Sequence, residues 1–512
     1  MNKEKPSSIE ISEQQIRVID GMMEMNMCVK VKFAMPAQNK QLPADIEEAL
    51  EAAGQQFKRR GFEIAMAGAD EELLKERMKR EVLVRRGKKA YTFKTQFGEA
   101  IISRNRVRRE NGQTEIPAHH AWATPQQVSI TPGLRAAVCD LVLKESIQST
   151  LIAVEKRAQA PGILSRRSVL NILHAEGAAL LEAQQARAQA VFEEMPQARV
   201  LIVATRKSGH TRKQYMTYDF GYDMEEEEKI GERVISSWEQ GPESSVSEPI
   251  IYYEKAQRTQ ADGLIIAQLD EVKVVAQEQS GKKEIWIYSG VVNANGHSYY
   301  FSTSNSAALF YQVGSLLAVL GAHKGEREIY IVADGARWIR NWYRDLPVAR
   351  KSMTLCWYHL TETCHDLLVA SFGRIKSLPI ESKLISKLWR GDVSGVLADL
   401  EKNKERVINA AKFRELKRYL KARRPYIADY ETRRNYQQWI ANTRVEKYND
   451  WSVSSRCKVQ GMQWGEAGVK AIAALICARR NGELEQWRKS GKLPVWDIEK
   501  PSTTGSSRNA QR

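Results

Sequence analysis

The sequence predicts an α/β protein: a mixed five-stranded sheet interleaved with helices and preceded by a mainly helical region. Three observations carry that expectation. Residues 264–275 (LIIAQLDEVKVV) form an apolar, β-branched run, the pattern of a strand covered on both faces. Strand, hairpin, helix and strand signals follow in alternation as far as residue 356. Helical periodicity with capping residues dominates 131–200 and 367–440.

Residues 1–118 read as an accessory region. Its first 87 residues mix short helical patterns, Pro43 to Arg60 and Asp70 to Arg86, with charge, and they carry no nameable chemistry. Lys88 to Arg109 reads as two strands around Phe97-Gly98, a hairpin with basic residues between Tyr91, Phe93, Ile101 and Ile102. Residues 119–200 have the layout of a helix-turn-helix. Thr131-Pro132 supplies a cap and first-turn proline, and Leu134, Val138, Leu141 and Val142 recur at helical spacing. A second helix ends near Pro161-Gly162, and Ser165 caps a third that turns Val169, Ile172 and Leu173 inward. In that layout the start of the last helix meets base edges in the major groove, which assigns DNA contact to Arg166, Arg167 and Asn171. The competing reading is a helical hairpin with a solvated basic end. Residues 201–256, with RKSGHTRK, the acidic run Glu225 to Glu228 and GPESS, read as a connector.

The core is expected in two parts, 257–366 and 441–490. Asp270 interrupts the first strand; Glu284 to Val292 is the second; Asn295-Gly296 is a two-residue hairpin signal; Ser298 to Ser302 returns as the third. A helix over 305–320 leads to a fourth strand, Glu328 to Ala333, which ends at Asp334-Gly335. The helix ARWIRNWY and a fifth strand, Ser352 to Cys356, follow. That element order is the order of the ribonuclease H-like fold. There the middle of the first strand lies beside the end of the fourth, so Asp270 and Asp334 converge. Two close carboxylates in a low-dielectric cleft repel unless cations fill the gap. A pair of Mg²⁺ ions, for which Mn²⁺ can substitute, would activate an attacking hydroxyl and stabilise the leaving oxygen of a phosphodiester. Such a site takes a third acidic ligand from a later helix, with Glu446, Asp450 and Glu466 as candidates.

Between the two parts, 367–440 reads as a helical insertion with cations on successive turns. Lys417, Arg418, Arg423 and Arg424 are expected on phosphates beside the cleavage point. Residues 491–512, rich in Pro, Ser, Thr, Gly and Asn, read as a disordered tail.

Composition narrows the function. The 512 residues carry a formal net charge of +16, with 43% hydrophobic and 27% charged residues, which excludes a disordered chain and points to a polyanionic partner. The six cysteines are scattered without CxxC pairs, as suits a reducing interior. No run approaches the ~18 apolar residues of a membrane span, so no membrane partner is expected. Cys356-x-x-His359, with Cys364-His365 nearby, is not spaced as a common four-ligand zinc site.

DGARW at 334–338, CWYHL at 356–360, and VEKYND with RCKVQGMQW between 445 and 464 resemble the DDE transposases of prokaryotic insertion sequences, especially the Kra and Lre types related to mutator-like elements. Carried over by residue, the resemblance makes Glu446 the third carboxylate. It matches Asn449, Arg456, Lys458, Gly461, Met462 and Trp464 to the rest of that segment. Three positions depart from the pattern: Glu271 stands where Gly is common, KYND replaces smaller residues, and Cys356 stands where many members carry Asp, while the C-x-x-H of Cys356 and His359 matches the variant of mutator-like relatives. The resemblance implies metal ligation and catalysis by Asp270, Asp334 and Glu446, with Asn449 and His359 just behind them and Cys356 as a buried contact. It also implies DNA contact by Arg456 and Lys458. The implied protein is a cytoplasmic, nucleoid-associated enzyme that binds the inverted repeats of its own element as a homo-oligomer on double-stranded DNA, cuts and joins strands. Glu271 and Glu466 are expected to be exposed. The alternatives are a transposase-derived DNA-binding protein without catalysis, or a ribonuclease H-like nuclease.

Overall fold

The structure, a computed structural model, describes residues 7–19, 22–33, 42–122, 126, 128–201, 264–278, 281–346, 348–436, 438–459 and 461–496. Most of the expected connector, from 202 onward, and the last part of the expected tail, 497–512, lie outside the described residues. Among the described residues no helix is long and apolar enough to cross a membrane. The chain divides into two compact units, Met1–Glu176 and Gly177–Arg512.

In the first unit, β1 (Ser7–Ile19) and β2 (Met22–Phe33) form an antiparallel ribbon, and the two short helices expected before residue 87 are one helix, α1 (Leu42–Met78). A ribbon this small needs an apolar backing. The methionines of β2 supply it by seating on α1 glycines: a Cβ on Gly68 would fall 2.5 Å from Met23 Cε, and one on Gly61 3.3 Å from Met25 Cε. The expected hairpin is present as β3 (Leu83–Thr95) and β4 (Gly98–Arg109). With β5 (Thr114–Glu115), the short α2 (Pro117–Ala121) and β6 (Val128–Ile130), it builds a sheet of order β5-β4-β3-β6.

Three helices follow, the first and third starting at their expected caps and the second at Ser146, which is not among the expected caps. α3 (Pro132–Val142) begins where Thr131 Oγ1 accepts from Leu134 N at 3.3 Å. α4 (Ile147–Ala158) begins where Ser146 Oγ accepts from Ser149 N at 3.0 Å. α5 (Arg166–Glu194) begins where Ser165 Oγ accepts from Ser168 N at 3.1 Å. Each bond satisfies one donor that a helix start leaves orphaned. Val138, Val142, Val154, Val169 and Leu173 are buried, while Arg166, Arg167 and Asn171 are exposed.

The second unit is α/β. Its strands are β7 (Leu264–Val275), β8 (Glu284–Ala294), β9 (His297–Thr303), β10 (Glu328–Ala333) and β11 (Lys351–Leu355). They form one mixed sheet of order β11-β10-β7-β8-β9, in which β7, β8 and β9 are antiparallel and β10 is parallel to both β7 and β11. Asn295 (φ 52°) and Gly296 (φ 76°) supply the two left-handed residues that a tight β8–β9 turn requires. α6 (Ser306–Val319) and α7 (Arg337–Asp345) cross between strands. Ile265, Ala267, Leu269, Phe301, Val313 and Ile331 lie in the core beneath them.

Directly after β11 comes a helical block with its own core around Leu360, Leu384, Leu416 and Tyr430. It consists of α8 (Trp357–Phe372), α9 (Arg374–Trp389), α10 (Val393–Lys402), α11 (Ala410–Arg423) and α12 (Tyr430–Asn435). The block opens on α8, ten residues earlier than the expected start at 367. α13 (Thr443–Asn449) continues through a π-helical turn, Asp450–Ser454, into Ser455–Cys457. α14 (Glu466–Arg480) and α15 (Leu484–Ser490) end the unit. The expected tail starts too early at 491: Trp496 is buried against Tyr299 and Phe301 and donates from its indole to Ser315 Oγ at 3.1 Å. Burying so large a ring outweighs the polar composition around it.

Candidate functional site

Backbone register brings the first two carboxylates together. The parallel ladder between β10 and β7 runs to Val332↔Gln268, so two residues further on Asp334 is level with Asp270. The chain then turns away sharply. Asp334 Oδ1 accepts from Ala336 N at 2.8 Å. Gly335 sits at φ +80°, and a Cβ there would lie 2.7 Å from Leu355 Cδ1. Sterics and backbone both require glycine at this strand end.

The third carboxylate arrives on α13, whose position is set by a buried glutamine two residues before Asp270. Gln268 Oε1 accepts from Arg444 N and Val445 N, both at 3.2 Å, and its Nε2 donates to Ala441 O at 2.9 Å. Asn442, the residue preceding α13, makes no side-chain cap. Gln268 therefore caps α13 from a distance. Tyr448 holds the same helix to β9 through a 2.7 Å hydrogen bond between its hydroxyl and Ser302 Oγ. With α13 placed in this way, Asn449 donates from Nδ2 to Asp270 Oδ2 at 2.8 Å, and Glu446 lies half-buried near His359.

The electrostatics follow from burial. Asp270 is pushed up to about 7, first by desolvation and then by the neighbouring Asp334 charge. Glu446 is also raised, chiefly by burial and against the opposing pull of His359. Glu271, expected to be exposed, belongs to the cluster. It is half-buried, accepts from Trp338 Nε1 at 2.6 Å, and is pushed up to about 7 by desolvation and by Asp334. His359 is pulled up to about 9 by a hydrogen bond with Cys356 and by the charges of Asp334 and Glu446, against the effect of its burial. Negative charge in excess of its local compensation is the condition that a divalent cation relieves. Asp270, Asp334 and Glu446 thus suit a hard, oxygen-seeking ion.

The remaining expected residues divide. Arg423 stacks on the Tyr419 ring at 4.3 Å, and its Nε lies 3.9 Å from where a Cβ on Gly335 would be, so the end of α11 reaches the Asp334-Gly335 turn. Tyr419 is an addition to the site; burial first, opposed by Arg423, pushes its hydroxyl up to about 12. Lys417 is paired with Glu401 at 2.5 Å, and Arg418 and Arg424 are partly exposed. Lys458 is exposed. Arg456, expected on DNA, is instead buried, with its guanidinium 4.8 Å over the Trp464 ring and its Nη1 3.6 Å from Met462 Sδ. Its match to the family segment therefore reflects packing of that segment on itself. Glu466 stands apart from the cluster, lowered to about 2 by hydrogen bonds from Lys282 and Lys470. His365 pairs with Glu381 at 2.8 Å rather than with any cysteine.

Cys356, expected as a buried contact, is fully buried. It does more than fill space: among the described residues, the donor atoms of Cys356, His359 and Glu446 all lie within 4.8 Å of one another. At the start of α8, Trp357, Tyr358, Ser382, Ile385, Ser386, Trp389, Arg434 and Ile440 line a cavity of about 650 Å³.

Residues 260–492 match the profile of an uncharacterised protein family (UPF0236). The match covers somewhat less than half of the chain and contains every member of the cluster described above. No curated protein matches the chain.

Proposed function

We propose that this chain is a DDE transposase: a Mg²⁺-dependent polynucleotidyl transferase that binds the inverted repeats of its mobile element, cuts the phosphodiester and joins the freed 3′-hydroxyl to target DNA. The observation that carries the reading is the placement of Asp334 level with Asp270, with Asn449 reaching Asp270 from the helix that also bears Glu446. The sheet order, with three antiparallel strands followed by two parallel ones, matches a ribonuclease H-like core and favours the same reading.

Asp270, Asp334 and Glu446 would hold two Mg²⁺ ions, which supply a polarised nucleophile and a stabilised leaving oxygen. The chain's own groups do the rest. Asn449 fixes the rotamer of Asp270 by occupying one carboxylate oxygen. Trp338 does the same for Glu271. His359, protonated at neutral pH, offsets carboxylate charge at the edge where an anionic backbone would approach. Arg423, beside Gly335, and the exposed Arg166, Arg167 and Asn171 give phosphate and base contacts. Trp357, Tyr358, Trp389 and Arg434 in the lining of the cavity at the start of α8 suit a stacked base. The enzyme would work in the cytoplasm as a homo-oligomer assembled on two DNA ends.

The test is cleavage of a duplex carrying the inverted repeats that flank the coding sequence, with Mg²⁺ and with chelator. Asp334→Asn should abolish cleavage while leaving repeat binding intact. Undiminished cleavage by that variant refutes the reading. An indifferent Glu446→Gln alongside an inactive Glu466→Gln would reassign the third carboxylate.

A further inference from the structure

We propose that Cys356, His359 and Glu446 form a binding site for one zinc-type transition-metal ion, chemically distinct from the all-oxygen Mg²⁺ site and sharing Glu446 with it.

The three donors come from two places in the chain. Cys356 is the residue between β11 and α8, His359 lies in the first turn of α8, and Glu446 is on α13. The tight β11–α8 connection places the thiol and imidazole three residues apart, and Gln268 sets the helix that brings the carboxylate. Among the described residues, His359 Nδ1 is buried without a hydrogen-bond partner, and it lies 3.6 Å from Glu446 Oε1. That separation is long for a hydrogen bond. It is close to the spacing of about 3.3 Å expected for two ligands held about 2.0–2.1 Å from one tetrahedral ion. The Cys356 thiol is fully buried and lies against the same imidazole.

The donor set selects the ion. A thiolate and an imidazole are poor ligands for Mg²⁺ and good ones for Zn²⁺. Three protein ligands leave a fourth tetrahedral position for water, as in zinc sites that stay reactive. His359 and Glu446 each keep 36% of their side-chain surface exposed, so solvent lies next to the site although Nδ1 itself is buried. On binding at neutral pH, the Cys356 thiol proton and one proton of the His359 imidazolium are released to solvent, after which the thiolate, neutral imidazole and carboxylate each donate one pair to the metal.

The shared glutamate has a functional consequence, which rests on the proposed function. A zinc ion on Cys356, His359 and Glu446 withdraws Glu446 from the Mg²⁺ pair, so zinc inhibits cleavage by competing for that carboxylate.

Binding is measured on the full chain, without DNA and without added Mg²⁺ so that Glu446 is free, by Zn²⁺ competition against a colorimetric chelator; zinc held by the acidic cluster instead would persist in the two ligand variants. Wild type should take up one Zn²⁺. Cys356→Ser and His359→Gln should each weaken uptake by at least about 100-fold, since loss of a ligand exceeds the 10–100-fold typical of a supporting group. Cys364→Ser, which removes a buried thiol on the same helix, should bind as wild type does. Co²⁺ in place of Zn²⁺ should give a thiolate charge-transfer band that Cys356→Ser lacks. Circular dichroism establishes that each variant is folded, and two independent ligand variants keep the test decisive if one misfolds. No Zn²⁺ uptake by wild type, or equal uptake by both ligand variants, overturns the site. Because this assay contains no DNA, absent cleavage with intact zinc uptake refutes the transposase reading alone, and the reverse refutes only the zinc site.

Discussion

Replacing Gln268 by leucine should detach the start of α13 from β7 while keeping side-chain volume nearly constant. Three hydrogen bonds disappear: those from Arg444 N and Val445 N to Oε1, and that from Nε2 to Ala441 O. Val445 N keeps a partner, because it also donates to Asn442 O at 3.1 Å. Arg444 N and Ala441 O are then left to find water, at about 1–3 kcal/mol for each buried unpaired group. Partial hydration trims the total, so a destabilisation of about 2–4 kcal/mol is expected in urea unfolding. The loss should be local. Hydrogen exchange at the Arg444 amide should speed up by about 30-fold or more, since each 1.4 kcal/mol is a factor of ten, while amides in the middle of β7 stay protected. Cleavage should fall in parallel, because Glu446 and Asn449 ride on the loosened helix. Unchanged exchange at Arg444 with unchanged unfolding would refute the claim that Gln268 positions α13.

Asp270 and Glu271 are both raised to about 7, so between about pH 4 and pH 7 the folded chain binds more protons than the unfolded one and metal-free stability falls as pH rises through that window. Urea midpoints in chelator should therefore drop more steeply across it for wild type than for Asp270→Asn with Glu271→Gln, Mg²⁺ should restore the wild-type midpoint above pH 7, and equal slopes would discredit the shifts. Arg166→Ala with Arg167→Ala should weaken binding to terminal-repeat DNA by about 1–3 kcal/mol for each bidentate pairing removed, read by fluorescence anisotropy in matched salt; wild-type affinity would make α3 to α5 a purely structural bundle. Neutralising Lys417, Arg418, Arg423 and Arg424 should flatten the plot of log affinity against log salt by about 0.9 for every phosphate left without its cation, with the smallest share from Lys417 because Glu401 already holds it; parallel plots would remove α11 from the DNA path.

How legible the molecule is in its sequence depends on how local each signal is. Asn295-Gly296, Asp334-Gly335 and the caps at Thr131 and Ser165 act within a few residues, and each does in the structure what its chemistry demands. Asp270 announces itself as a charge in an apolar strand. Gln268 sends the same kind of signal two residues earlier, but an amide in a strand has many innocent uses and its partners lie beyond residue 440. Glu271 defeats the expectation of exposure for a related reason. Alternation sends it to the face opposite Asp270, yet Trp338 covers that face, so the position is enclosed rather than solvated. Arg456 is expected on DNA through the motif resemblance; the ring of Trp464 beneath its guanidinium shows that its charge is turned inward. The first 87 residues are opaque because neither part is self-sufficient: β2 presents methionines that need the glycine face of α1, and neither half shows its purpose without the other.

The long-range tether between β7 and α13 also bears on when the protein acquires its chemistry during synthesis. Asp270 and Asp334 emerge from the ribosome early and can pair through β7 and β10. Gln268 has no partner until residues 441 to 445 have been made and the helical block has closed back onto the sheet. Until then the early carboxylates face each other with neither Asn449 nor Glu446 in place. On the proposed function, a nascent or prematurely terminated chain would present Arg166 and Arg167 of α5 before the cluster that includes Asn449 and Glu446 is assembled. On that reading, the order of residues along the polypeptide would act as a timer that lets recognition mature before reactivity.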